Sequence, residues 1–154
     1  MKNLIVLFSI LILGCKQTPN TVLKTESKPN VLIILADDMG YGDISCYGQT
    51  KHKTPNIDNI ATHGVISTDF YVPTPYCAPS RTTLLTGRFP LRHGLVKNPH
   101  PDTTPEANMV GISSEEILLS EVFNEAGYAT KAIGKWHMGH QKGFFPVEHG
   151  FDEY

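Results

Sequence analysis

A short segment around Cys77 carries residue types whose spacing suits chemistry on an anionic substrate. It reads Pro-Tyr-Cys-Ala-Pro-Ser-Arg from Pro75 to Arg81. Pro79 is typical of the first turn of a helix, so Cys77 is predicted at a helix N-terminus, where backbone N–H groups and the helix dipole favour negative charge. Arg81 adds a fixed positive charge about one turn away. A nucleophilic or electrophilic group at Cys77 would therefore face an anion.

Asp37 and Asp38 form a second candidate site. Adjacent carboxylates repel each other unless a positive charge lies between them, and a divalent cation such as Ca²⁺ or Mg²⁺ meets that need with oxygen ligands. Two carboxylates do not complete a calcium shell of about six to eight oxygens, so further ligands must come from elsewhere. The alternative is a solvated turn in which one aspartate caps the backbone.

A third candidate group consists of Lys135 and His137, which flank Trp136. On an extended segment, residues two apart point the same way. Lysine supplies a point charge for a sulfate or phosphate oxygen, and histidine exchanges a proton near neutral pH. The alternative is a surface strand end with Trp136 packed into the core.

Cys77 also has two competing interpretations. The chain contains three cysteines, and in an oxidising compartment Cys46 and Cys77 would be able to form a disulfide. A thiolate phosphatase needs its arginine two positions beyond Arg81, where this chain has Thr83. The spacing therefore argues against such a phosphatase and leaves the disulfide open.

The elements that must position these residues alternate between strands and helices. Residues 31–35 read Val-Leu-Ile-Ile-Leu, a continuous apolar run typical of a buried strand in a parallel sheet. The patterning predicts further strands at 65–71 and 128–133, and helices at 55–62, 81–85 and 115–126. This alternation predicts an α/β fold with a mainly parallel central sheet. The aspartate pair and Lys135 each follow a strand, so we expect both at one edge of that sheet.

The N-terminal residues predict export. An apolar run at residues 4–13 is too short to span a bilayer and is typical of a signal peptide. The run ends in Leu-Gly-Cys, which resembles a bacterial lipoprotein box, so we predict a signal peptide over residues 1–15 with lipidation of Cys15. A plain secretory signal is the alternative. Residues 16–29 are polar and predict a flexible tether to the domain that follows.

The composition excludes some classes of partner. Hydrophobic residues make up 40% and charged residues 18% of the 154-residue chain, and the net charge is −2. These values are typical of a globular protein and not of a disordered one. Without a basic run or an arginine-rich helix, the sequence predicts no nucleic-acid partner, and we expect membrane attachment only through the lipid anchor.

Three segments resemble the signatures of the type I sulfatase family. Cys77-Ala-Pro-Ser-Arg81, followed by Leu-Thr-Gly-Arg at Leu85 to Arg88, is similar to the first signature. Gly127 to His137 is similar to the second, and Pro29 to Asp38 resembles the opening strand with its metal ligands. The segments stand in the family's order. The resemblance implies the alkaline-phosphatase-like (sulfatase) α/β fold, of which residues 30–154 would be the N-terminal part of the catalytic domain.

The resemblance implies a modified residue and a metal ion. Cys77 would be oxidised after translation to formylglycine by a maturation enzyme, and the hydrated aldehyde would attack the sulfur of a sulfate ester. Asp37, Asp38 and the modified Cys77 would bind Ca²⁺ rather than Mg²⁺.

The resemblance also implies roles for the basic residues. Arg81 would hold the diol and the metal-binding carboxylates, Lys135 would contact the sulfate, and His137 would assist deprotonation of the diol. The Thr-Gly-Arg that ends at Arg88 would support the helix of the first signature. The family's remaining metal ligands, second lysine and general acid lie further downstream, so we expect this chain alone to fold poorly and to have little activity.

The implied substrate is a sulfate ester, and for an exported protein in the periplasm or at the bacterial cell surface, a sulfated polysaccharide or oligosaccharide. One alternative is a phosphonate or phosphate ester hydrolase of the same superfamily. The other is a non-catalytic lipoprotein that binds sulfated glycans, which an unmodified Cys77 would favour. A disulfide between Cys77 and Cys46 would exclude the catalytic interpretation.

Overall fold

The computed structural model describes residues 27–100, 104, 106 and 109–154. The chain divides between Leu35 and Ala36 into two units. The second unit contains α1 (Pro55–His63), α2 (Cys77–Thr86), α3 (Pro90–His93), α4 (Leu119–Glu125) and 3-10 helices at Tyr41–Asp43, Ser45–Tyr47 and Pro146–Glu148. Among the described residues, every helix falls short of the length and apolar character that a bilayer span requires. The predicted signal peptide with Cys15, and residues 16–26 of the predicted tether, lie outside the described residues.

Helix α2 carries Cys77 as its first residue. It begins four residues before the predicted segment 81–85, with Pro79 in its first turn. It ends at Gly87, whose positive φ of 65° lets its N–H donate to the Thr83 carbonyl at 2.8 Å. Cys77 therefore lies at a helix N-terminus, as the proline predicts.

Helices α1 and α4 differ in length from the predictions. Helix α1 runs one residue beyond the predicted segment 55–62. Helix α4 is shorter than the predicted segment 115–126, because the backbone before it is extended at the fully buried Leu118. The Glu121 carboxylate accepts the Leu118 N–H at 2.7 Å and caps the helix from within its first turn.

The predicted strands are not formed, because a strand needs a paired neighbour. In the part of the chain that the structure describes, strand-type backbone pairing is limited to one parallel β-bridge between Lys131 and Glu153. Residues 31–35 join no ladder, and their side chains are 49–83% exposed. The predicted burial of this segment, and the strands predicted at 65–71 and 128–133, are therefore wrong for the described residues.

A small core holds the second unit together. Its buried apolar residues are Ala78, Leu95, Ile112, Leu118, Trp136 and Met138. The Trp136 side chain is buried, and its Nε1–H donates to the Phe144 carbonyl at 2.7 Å. Trp136 is therefore a core residue, and its packing fixes the backbone on either side of it.

The segment before Trp136 is held by the last residues of the chain. The Asp152 carboxylate accepts the Thr130 N–H at 2.7 Å and the Thr130 hydroxyl at 3.0 Å. The bond from the Thr130 backbone, the larger cause, and the bond from its hydroxyl, the second, hold the pKa of Asp152 below its ordinary value. The Tyr154 hydroxyl donates to the Gly134 carbonyl at 2.9 Å. Residues 150–154 thus hold in place the backbone that leads to Lys135 and His137.

We expect Gly150→Ala to destabilise the protein more than Gly94→Ala. Both glycines have a positive φ, 79° and 80°, so the two substitutions carry a similar backbone cost. An added Cβ meets open space at Gly94, but at Gly150 it lies 2.6 Å from the backbone nitrogen of Glu121. This clash should lower the free energy of unfolding by about 1–3 kcal/mol more. Urea unfolding of both variants of the complete gene product measures the difference, and equal losses would contradict the contact.

Candidate active site

Asp37 lies at the centre of a cluster that joins three distant parts of the chain. Its Oδ1 accepts a hydrogen bond from Arg81 Nη2 at 3.1 Å, and its Oδ2 accepts one from Lys135 Nζ at 2.8 Å. Arg81 Nη1 also donates to the main-chain carbonyl of Lys135 at 2.6 Å. The structure therefore brings the aspartate pair and the Lys135 segment together, without the strands that were predicted to do so.

The ion pairs fix the charges of this cluster. The Lys135 ammonium, and after it the Arg81 guanidinium, hold the pKa of Asp37 below its ordinary value. The hydrogen bond from Lys135 to Asp37 raises the pKa of Lys135 in turn. Both side chains are therefore charged at neutral pH. They are 38% and 41% exposed, so water screens the pair and an incoming anion can compete for Lys135.

Asp37, Asp38 and Cys77 form a candidate metal site. One carboxylate oxygen of each aspartate and the Cys77 Sγ lie within 4.8 Å of one another. Asp38 has a φ of +58°, a left-handed conformation that costs energy in a residue other than glycine and clusters at functional sites. Carboxylates suit hard cations such as Ca²⁺ or Mg²⁺, whereas sulfur suits softer ones. The donor set fits a hard cation once an oxygen replaces the Cys77 sulfur.

Cys77 is half-buried at the start of α2 and unpaired. Cys46 and Cys77 are both free cysteines, so the disulfide alternative is wrong for this structure. The N–H of Ala78, the next residue, donates to the side-chain carbonyl of Asn98 at 2.9 Å. Cys77 is therefore available for modification, on a turn that a distant side chain holds in place.

His137 differs in backbone conformation from the prediction. Its φ is +64°, so the segment is not extended there, and the strand geometry predicted to align it with Lys135 is wrong. Its Nδ1 is buried and has no hydrogen-bond partner among the described residues. Burial lowers the pKa of His137, and the charges of Lys135 and Arg81 lower it further. The imidazole is therefore neutral at pH 7 and has a nitrogen that can accept a proton.

Two part-buried polar contacts lie away from the Asp37 cluster, one from Thr83 of α2 and one from Arg88 just beyond the helix. Glu116 is buried and accepts a hydrogen bond from Arg88 Nη1 at 2.6 Å. His93 is also buried, which lowers its pKa, and its Nε2 is bonded to the Thr83 hydroxyl at 3.2 Å. Arg88 thus acts on the surroundings of the helix and does not contact the site.

Sequence reasoning missed two features beside the site. The first is Asn98, which no motif or spacing signals. The second is a cavity of about 250 Å³ lined by Pro99, Trp136, His137, Gly139, His140, Phe145, Pro146 and Tyr154. Pro99 begins a proline-rich segment at 99–105, of which residues 101–103 and 105 lie outside the described residues. Both features join segments that are far apart in sequence, so only the tertiary structure reveals them.

Comparison with known proteins places this chain among sulfatases. The sulfatase family model matches residues 29–154. The chain is 46% identical to N-acetylgalactosamine-6-sulfatase of Homo sapiens over 129 residues, which cover 82% of this chain and 25% of that protein. It is 43% identical to arylsulfatase A of Homo sapiens over 134 residues, which cover 86% of this chain and 26% of that protein. The chain thus spans about a quarter of the length of the curated relatives it matches.

Solved structures show the same relationship. The crystal structure of Ps i-CgsB has a TM-score of 0.74 and 41% identity, covering 82% of this chain and 27% of that one. The structure of Ps i-CgsB in complex with k-i-k-neocarrahexaose has a TM-score of 0.72 and 40% identity, with the same coverage. The likeness to these structures therefore shows the predicted alkaline-phosphatase-like α/β fold, of whose strand pairing the described residues form a single bridge. More narrowly, the chain belongs to the sulfatase family.

We expect the pKa of His137 to lie below its ordinary value, and Lys135→Met to raise it. The substitution removes a positive charge that disfavours the imidazolium, while burial, the larger cause, remains. NMR titration of the ring protons measures both values. Lys51→Met, which removes an exposed lysine from another part of the chain, is the matched control and should leave His137 unchanged. An equal pKa in the Lys135 variant and the wild type would contradict the electrostatic contact.

Proposed function

We propose that this chain supplies the nucleophile and the sulfate-binding cations of a sulfuric-ester hydrolase. The observation that carries the proposal is the cluster of Asp37, Arg81 and Lys135 beside Cys77 at the N-terminus of α2. Two fixed cations and a helix N-terminus favour a tetrahedral oxyanion and the charge that develops on it. Membership of the sulfatase family supports sulfur as the central atom of that anion.

We propose that the nucleophile is formylglycine, made from Cys77 by a maturation enzyme. Hydrated formylglycine supplies one hydroxyl that attacks sulfur while the ester S–O bond breaks and the alcohol leaves. Deprotonation of the second hydroxyl then breaks the C–O bond to sulfate, which releases the sulfate and reforms the aldehyde. The Cys-Ala-Pro-Ser-Arg segment and the free thiol support the conversion. The donor set supports it independently, because two aspartates and an oxygen suit one hard cation better than two aspartates and a sulfur.

We propose Ca²⁺ as that cation, bound by Asp37, Asp38 and the modified Cys77. When bound, it would polarise a sulfate oxygen and lower the pKa of a hydroxyl beside it. Arg81 and Lys135 each bind one oxygen of the Asp37 carboxylate and fix its orientation, and each oxygen keeps a second lone pair that a cation can share.

Within this proposal the two cations and the histidine have different roles. Lys135, the more exposed cation, holds a sulfate oxygen. Arg81 binds Asp37 and the Lys135 backbone together, and so sets the distance between the metal-binding carboxylate and the sulfate-binding ammonium. We propose that His137, which is neutral, accepts the proton from a hydroxyl on residue 77 through one of its ring nitrogens.

We propose sulfated poly- or oligosaccharides as the substrate class. The names of two relatives support this choice, since one is N-acetylgalactosamine-6-sulfatase and another was solved with k-i-k-neocarrahexaose. Export as a lipoprotein of the periplasm or cell surface is part of the proposal, because such polymers are met outside the cytoplasm. The apolar run at residues 4–13 and the Leu-Gly-Cys that ends at Cys15 support it.

We expect mass spectrometry of protein from its native host to find formylglycine at position 77. Loss of sulfur, resistance to thiol alkylation and reaction with a hydrazine identify the aldehyde. Cys46, a free cysteine in the same digest, is the internal control and should be alkylated normally. An alkylated Cys77 would count against the proposed nucleophile. A mature N-terminus other than a lipidated Cys15, read in the same digest, would count against the anchor.

We expect the product of the complete gene to hydrolyse 4-nitrophenyl sulfate about 100-fold faster than 4-nitrophenyl phosphate. Chelation should abolish the activity, and Ca²⁺ should restore it. Lys135→Met should lower kcat/KM about 100-fold, because it removes a charge that stabilises the transition state. Lys131→Met, whose ammonium pairs with the exposed Glu153, is the matched control and should retain activity. Faster hydrolysis of the phosphate would favour a phosphate ester hydrolase instead.

A further inference from the structure

We infer that Asn98 is a positioning residue for the chemistry at Cys77, an inference that rests on the proposed function. Its Oδ1 accepts the Ala78 N–H at 2.9 Å from a position twenty residues further along the chain. Ala78 is the second residue of α2 and directly follows Cys77. Asn98 thereby fixes the turn that carries the reacting residue, and it does so without a charge.

The first turn of α2 leaves two backbone donors open. A helix has four N-terminal N–H groups without intrahelical partners, here those of the N-cap Tyr76 and of the first three helical residues. The third helical residue is Pro79, which has no N–H, and Asn98 accepts the N–H of the second. The first intrahelical bond runs from the Ser80 N–H to the Tyr76 carbonyl at 3.2 Å. Among the described residues, the N–H groups of Tyr76 and Cys77 have no acceptor, so the positive end of the helix is presented at the reacting residue.

Asparagine suits this position for an electrostatic reason. Asparagine and aspartate accept N–H groups at helix N-termini about equally well. Aspartate would also place a negative charge beside the sulfate site and offset the attraction from Arg81 and Lys135. Asn98 satisfies the backbone N–H and leaves the positive potential of the site to the substrate.

Asn98 is itself held between two buried residues. Leu95 lies in the core, and its N–H donates to His93 Nδ1 at 3.2 Å. Pro99 is buried and lines the cavity beside His137. Residues 95–99 therefore present the side-chain carbonyl of Asn98 to α2 in a fixed orientation. The same residues link the turn at Cys77 to the cavity wall.

Two substitutions separate the positioning role from the electrostatic one. Asn98→Ala removes the acceptor, so we expect kcat for 4-nitrophenyl sulfate, per mole of formylglycine, to fall about tenfold, because residue 77 loses its fixed orientation. We expect Asn98→Asp to restore the acceptor and recover kcat to within about twofold. The same Asp variant should bind inorganic sulfate about tenfold more weakly than the wild type, because of the added charge.

Steady-state kinetics and calorimetric titration with sodium sulfate, both on the complete gene product, test these values. Asn59→Ala is the matched control: it removes the side chain of an exposed asparagine on α1 and should change neither kcat nor sulfate affinity. Wild-type kcat in Asn98→Ala, or wild-type sulfate affinity in Asn98→Asp, would overturn the inference. A wild-type protein that hydrolyses no sulfate ester would overturn the proposed function instead, and the sulfate titration would still decide the role of Asn98.

Discussion

The carboxylate of Asp37 is the group on which the arrangement of the site depends. Arg81 and Lys135 both bind it, across 44 and 98 positions of sequence. Without that carboxylate the two cations would repel each other, since both lie within hydrogen-bonding distance of it. The pairs are partly exposed, so charge alone contributes little to stability. Their specificity comes from geometry, because Arg81 binds the Lys135 carbonyl as well and so fixes the backbone of that segment.

The site also keeps two residues in costly conformations. Asp38 and His137 have positive φ values, which a side chain disfavours and which persist only where the surroundings fix the backbone. Beside His137 that support is visible: Trp136 is buried and bonded to Phe144. The same backbone places His137 Nδ1 in a buried position without a hydrogen-bond partner among the described residues. Both conformations therefore cost stability at the site.

The start of α2 shows how the fold directs charge toward one residue. Pro79 lacks an N–H, and Asn98 accepts the one from Ala78, so the open N–H groups of the helix among the described residues are those of Tyr76 and Cys77. Arg81 lies about one turn further along, on the same helix. Helix, cation and neutral cap therefore act on the same anion. The carboxylates of Asp37 and Asp38 lie within 4.8 Å of the Cys77 sulfur, where they form the candidate metal site.

The sequence by itself determined the features that neighbouring residues control. Prolines set the starts of α1 and α2, Gly87 ended α2, and the order of the signature segments was enough to identify the family. The strands were not predictable in the same way, because residues 31–35 become a strand only when a distant segment pairs with them. An apolar pattern does not identify that segment. The tertiary structure alone decided that Asp37 meets both cations, that His137 leaves the extended conformation and that Asn98 caps α2. Each of these depends on contacts between residues far apart in the chain, and no local spacing encodes such contacts.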